Sequence, residues 1–220
     1  MTEKLRNSDS SKKHLSTVRR HMRLCKTVKG AEFLAVAIES HHTRLAQTLV
    51  ESNKANEAEE DALDDRELRG REGADALRTA SEQAKQHDRD NPGESVFARL
   101  YPEGGFSKFV ASNGTVSAAS CRLIAARIRD LGTNHPLANL ETDMATHATA
   151  IDTAQKTFED ALRARKLAEA EEELAQAALR RAYEENSLDA QKKFGKAAAD
   201  RLFPRIRKRD SAPEDDAEGT

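Results

Sequence analysis

Aromatic side chains are scarce in this sequence: no Trp, two Tyr and seven Phe among 220 residues. A single deep core in a chain of this length needs more large rings than that, so the interior is expected to be thin. Sandwiches and α/β domains have thick cores, whereas helices packed side by side do not. Proline is rare too, and none falls between Ala31 and Arg89. No run of about eighteen apolar residues occurs, which excludes a transmembrane helix. The opening residues MTEKLRNSDSSKKH lack the apolar segment of a secretion signal. Cys25 and Cys121 form no C-x-x-C pair and suit a reducing compartment. These absences lead to the expectation of an all-α, cytoplasmic chain with no membrane contact.

Catalytic signatures are missing as well. There is no G-x-G-x-x-G, no G-x-x-x-x-G-K-[ST], no G-x-S-x-G and no H-E-x-x-H. Phe194-Gly195-Lys196 has one glycine and no strand before it, so it is no phosphate loop. The expectation is a non-enzyme that uses no cofactor.

What the sequence does contain is helical periodicity. Leu137, Leu140, Met144, His147, Ile151, Ala154, Phe158 and Ala161 fall three and four residues apart within Pro136–Tyr183. That is the a/d seam of a coiled-coil-like helix. The stretch from Ala31 to Arg89 reads as a second long helix of about 90 Å. Its middle is polar or Ala, which leaves it either solvent-exposed or bent at Gly70 and Gly73. A first helix follows Ser10 or Ser11 and carries Leu15, Val18, Met22 and Cys25 on one face. Thr115 is the expected cap of a helix bearing Cys121, Ile124, Ala125, Ile128 and Leu131. Asn186-Ser187 is a candidate hinge.

Punctuation repeats at one spacing. Gly30 and Gly132 are 102 residues apart, and so are Pro102 and Pro204. In that register Ala76-Leu77-Arg78 falls on Ala178-Leu179-Arg180, and Arg99-Leu100-Tyr101-Pro102 on Arg201-Leu202-Phe203-Pro204. The pattern predicts an internal duplication within one elongated bundle over residues 10–204, with units at 10–102 and 115–204. Residues 1–9 are expected to be disordered and 205–220 to form a charged flexible tail.

Charge is distributed unevenly. Residues 1–30 hold nine Lys/Arg against two acids, while 51–94 hold fourteen acids against seven Lys/Arg. The basic arm (Lys12, Arg19, Arg20, Arg23, Lys26) and the two aromatics that close the repeats, Tyr101 and Phe203, are the candidate interaction residues. The arm is expected to meet an acidic protein face, either the 51–94 stretch or another copy. Binding to nucleic acid is the alternative, weakened by the near-neutral total charge and the lack of interleaved aromatics.

No metal ligands are assigned. Glu39-x-x-His42 has di-metal spacing, but the repeat puts Met144 where a second histidine is needed. Asp143 and His147 could share a helix face, and His147 is expected to be buried in the seam and neutral. The functional expectation is a scaffolding or protein-interaction bundle that associates with itself or with another protein. A nucleic-acid-associated protein is the second reading, and a bundle metal carrier or enzyme the third.

Overall fold

A computed structural model describes residues 5–204. They form six α-helices and one 3-10 turn, with no strand among the described residues. The helices are α1 (Ser11–Thr27), α2 (Glu32–Asp90), α3 (Val96–Leu100), α4 (Ala118–Arg129), α5 (Asn139–Phe194) and α6 (Lys196–Leu202). The protein is all-α, and no described helix is long and apolar enough to cross a membrane.

The two long helices persist for local reasons. Through its polar middle, α2 is laced by ion pairs one turn apart: Asp65–Arg69, Arg69–Glu72, Glu67–Arg71 and Asp75–Arg78. In α5 the hydroxyls of Thr146, Thr149, Thr153 and Thr157 each donate to the carbonyl four residues back. Their polar groups are thereby satisfied without breaking the helix. Asn186-Ser187 is no hinge: Asn186 is buried in α5, and its Nδ2 donates to the Leu34 carbonyl at 2.7 Å. The helix stops instead at Gly195, whose φ of +78° is the left-handed conformation that glycine adopts without strain.

The described residues divide into two compact units. One holds the residues up to Asn53 and those from Leu167; the other holds Lys54–Lys166. Each takes the start of one long helix and the end of the other, so their limits differ from the stretches 10–102 and 115–204. Folding follows contacts between helices, not adjacency in sequence.

In the first unit α1 buries Leu15, Val18 and Cys25 against Leu34, Ile38 and Leu45 of α2, Leu179 and Tyr183 of α5, and Leu202 of α6. Leu5 belongs to this core, and the Arg6 carbonyl lies 3.0 Å from His14 Nε2. Residues 5–9 are therefore structured, contrary to the expected disorder. The predicted tail at 205–220 lies outside the described residues.

In the second unit α4 buries Cys121, Ile124 and Ile128 against Leu77 of α2, Leu100 of α3, and Leu140 and Met144 of α5. Ser117, not Thr115, caps α4, its hydroxyl accepting from Ser120 N–H at 3.2 Å. Thr115 turns instead to Asn113, donating to its Oδ1 at 2.8 Å. His147 is half-buried and Ala148 takes the core position beside it. Between buried Met144 and Ile151, a step of four then three reaches Ala148 as readily as a step of three then four reaches His147, and the helix turns Ala148 to the core.

Gly70 and Gly73 lie inside α2, which is helical through both. They let the loop before α4 come close. Val116 N–H donates to the Gly70 carbonyl at 3.1 Å, and a Cβ on Gly70 would sit 2.7 Å from Thr115 Cβ. A Cβ on Gly73 would meet Ile151 Cδ1 and Val116 Cγ2, both at 2.9 Å. Gly→Ala inside a helix ordinarily stabilises by about 1 kcal/mol. Overpacking costs about 1–3 kcal/mol, so Gly70→Ala should lower stability in urea titration. A variant as stable as the parent would show that the loop yields freely.

Candidate functional site

One cluster of titratable groups stands out, and it sits where two chain breaks meet in the second unit. α2 ends in the Asn91-Pro92-Gly93 turn, with the Asn91 N–H donating to the His87 carbonyl at 2.8 Å. That places His87 in the last turn of α2 and Glu94 just beyond it. Asp88 fixes the following segment, its carboxylate accepting from Val96 N–H at 2.6 Å and Phe97 N–H at 2.9 Å. The loop between α4 and α5 supplies His135, whose N–H donates to the Gly132 carbonyl at 3.1 Å.

The geometry is close. His87 Nε2 lies 2.8 Å and His135 Nε2 3.9 Å from Glu94 Oε2. The two imidazole centroids are 4.7 Å apart. The side chains of His87 and His135 keep 11% and 10% of their exposure, and Glu94 keeps 52%. Leu137 N–H donates to His135 Nδ1 at 3.2 Å, while His135 Nε2 is buried without a hydrogen-bond partner. Burial holds the His135 pKa low, and His87 adds to this while Glu94 opposes it. Among the described residues this is the trio of His, Cys, Asp or Glu whose donor atoms all lie within 4.8 Å of one another. The sequence reading missed it because His87, Glu94 and His135 form no spaced motif. The only signal was a histidine next to each of two Pro-containing breaks.

The ligand pairs weighed from the sequence do not assemble. Glu39 is exposed and His42 half-buried, and neither Glu39–His42 nor Asp143–His147 enters a donor trio among the described residues.

Of the candidate interaction residues, Lys12, Arg19, Arg20, Arg23 and Lys26 all lie exposed on α1. Lys12, Arg19, Arg23 and Lys26 recur in steps of seven, four and three residues and so share one face. Among the described residues no carboxylate pairs with any of the five, whereas neighbouring Lys13 bonds Asp9 at 2.6 Å. The acidic stretch finds cations elsewhere, in the arginines of its own helix and in an ion pair between Glu59 and Arg165 of α5. Tyr101 and Phe203 are corrected: at 1% and 4% exposure they are core residues and present no surface.

A cavity of about 450 Å³ at the start of α4 is lined by Arg66, Arg122 and Asp152. Its cations are already engaged, Arg122 by Asp152 and Arg66 over the Phe158 ring at 4.3 Å. Compared with known protein families, curated proteins and solved structures, the chain shows no match.

Proposed function

We propose that this chain is a non-enzymatic protein-interaction bundle, built from two copies of one helical unit, that self-associates through exposed helix faces. The observation that carries the reading is on α5 in the first unit. Leu167 and Leu174, seven residues apart, remain 63% and 72% exposed. Ala170 between them is exposed as well, and Lys166, Glu169 and Glu173 flank the row. Two leucines left in water on successive heptads, with charges on either side, have the pattern of a seam awaiting a partner helix. An open groove of about 790 Å³, lined by residues 7–10, Leu174 and Arg180, lies beside them.

The duplication is favoured by burial at matched positions. Leu77 and Leu179, Ala80 and Ala182, Ser81 and Tyr183, and Leu100 and Leu202 are buried pairs 102 residues apart. Tyr101 and Phe203 both follow a short helix as its C-cap. Gly93 and Gly195, which share the register, precede those helices with positive φ.

Light scattering on the full chain over a roughly hundredfold range of concentration tests self-association, since mass action sets the oligomer fraction. Wild type should exceed the monomer mass, and Leu167→Lys with Leu174→Lys, both helix-compatible changes, should return it to monomer. A wild type that stays monomeric throughout overturns the reading.

The arm on α1, exposed and without a carboxylate partner among the described residues, favours a second reading, attachment to nucleic acid. Three to five phosphate contacts would give a log–log salt slope of roughly −3 to −5 on duplex DNA. Reversing Arg19, Arg20 and Arg23 would abolish that binding while leaving the fold intact. We expect no such binding, because a near-neutral total charge attracts a polyanion weakly.

A further inference from the structure

We propose that His87, Glu94 and His135 form a binding site for a first-row transition-metal dication, with Zn²⁺ as the reference ion, independent of the interaction reading above. Two imidazole nitrogens and one carboxylate oxygen are a donor set that Zn²⁺ and its neighbours accept, and that Mg²⁺ or Ca²⁺, which take oxygen, do not favour. Three features of the structure point to a ligand and not to ordinary surface polarity.

The first is that the donors are held before any ion arrives. Each comes from a break fixed by backbone bonds: His87 by Asn91 N–H to its carbonyl, Glu94 by its own N–H to the Asn91 carbonyl at 3.3 Å, and His135 by its N–H to the Gly132 carbonyl. Closing the trio onto one ion requires His135 Nε2, 3.9 Å from Glu94 Oε2, to move inward only slightly. Ligand atoms about 2.0–2.2 Å from a Zn²⁺ centre lie within roughly 3.5 Å of each other.

The second is the orphan nitrogen. His135 Nε2 is buried and unpartnered, although its side chain is nine-tenths covered. A buried imidazole nitrogen normally finds a partner, and this one is aimed at the carboxylate and the second imidazole. Once the ring proton has moved to Nδ1, a cation between them would give this nitrogen a partner.

The third is the field. His87 lies in the last turn of a 59-residue helix, whose terminal carbonyls favour positive charge. Glu94 brings one negative charge and enough exposure to let an ion in from solvent. The Arg99 guanidinium, close enough to disfavour protonation of His135, opposes this.

The ring proton limits the affinity. Leu137 N–H donates to His135 Nδ1, so in the neutral metal-free ring the proton sits on Nε2. Binding at Nε2 requires that proton to pass through solvent to Nδ1, and the Leu137 amide then loses its acceptor. His87 Nε2, which donates to Glu94 Oε2 at 2.8 Å, must likewise pass its proton to Nδ1. The site should therefore bind in the micromolar range, more weakly than a closed structural zinc centre. Three protein donors leave a fourth position for water or for a donor from another molecule.

Isothermal titration of the chelator-stripped full chain with ZnCl₂ near neutral pH should give one ion per chain. Co²⁺ at the same stoichiometry should develop the visible bands of a low-coordinate nitrogen–oxygen site. Glu94→Gln, on a half-exposed side chain that leaves folding alone, should weaken Zn²⁺ at least tenfold. His87→Ala with His135→Ala should abolish one-to-one uptake while the helical circular dichroism persists. His41→Ala with His42→Ala, which removes the only adjacent histidine pair in the sequence, should change nothing. No saturable uptake by wild type overturns the proposal. So does uptake that survives loss of His87 and His135, or that disappears with His41 and His42.

Discussion

Phe203→Ala should lower the unfolding free energy of the first unit by about 3–5 kcal/mol, and Tyr101→Ala should do the same to the second, the range found when a buried ring is truncated and its cavity remains. Phe203 stacks on His21 with centroids 4.2 Å apart and meets Tyr183 edge-on at 5.1 Å. Tyr101 lies over Phe97 at 5.5 Å and meets Phe109 at 6.1 Å. Neither site has a spare ring to move into the gap, in a chain with so few aromatics. Tyr101 also donates its hydroxyl to the Leu77 carbonyl at 2.8 Å, so Tyr101→Phe should cost only about 0.5–1.5 kcal/mol. The chain carries two tyrosines, Tyr101 buried in one unit and Tyr183 in the other. In Phe203→Ala the early loss of urea resistance should appear in both circular dichroism and tyrosine fluorescence. A midpoint unmoved by either truncation would mean that these rings anchor nothing.

The sequence marks where these two residues close their helices, though it reads them as interaction residues and not as core. A helix that ends on Arg-Leu-aromatic-Pro is read locally, because proline cannot continue it and the ring before it must be buried somewhere. Gly30 and Gly132 were legible in the same way, both adopting positive φ after a helix. Positions decided by a neighbouring element were not legible. Gly70 and Gly73 look like hinges until Thr115 and Val116 are seen against them. Leu5 seemed lost in a polar terminus until α1 turned it into a core. In an Ala-rich seam His147 and Ala148 compete for one place, and three-residue and four-residue steps do not tell them apart. The His87–Glu94–His135 cluster was the least legible of all, since His135 comes from a different break than His87 and Glu94 and only tertiary folding brings it to them.

His21 should make the first unit acid-labile. It lies on α1 and is wholly buried, with Nδ1 2.8 Å from the Leu202 carbonyl and Nε2 3.3 Å from Asn186 Nδ2. Asn186 is oriented by its own bond to the Leu34 carbonyl, so its NH₂ faces Nε2. Nε2 must then be the acceptor and Nδ1 the donor, which is the neutral ring. A second proton would sit on Nε2 against an N–H donor, in a pocket closed by Cys25, Tyr183 and Phe203. Burial depresses the His21 pKa, opposed only by the Leu202 carbonyl. Burial depresses those of His14 and His42 as well. A histidine whose folded pKa lies below its unfolded value of about 6.5 is protonated more readily in the unfolded chain. Its contribution is therefore present above pH 6.5 and is lost as pH falls below it. Urea titrations between pH 7.5 and 5 should show this decline, at a slope of up to about 1.4 kcal/mol per pH unit for each histidine. His21→Phe should be less stable at neutral pH, since Leu202 and Asn186 lose their partner, yet it should decline less steeply in acid. If the variant loses stability as steeply as wild type between pH 6.5 and 5, the acid sensitivity does not come from His21.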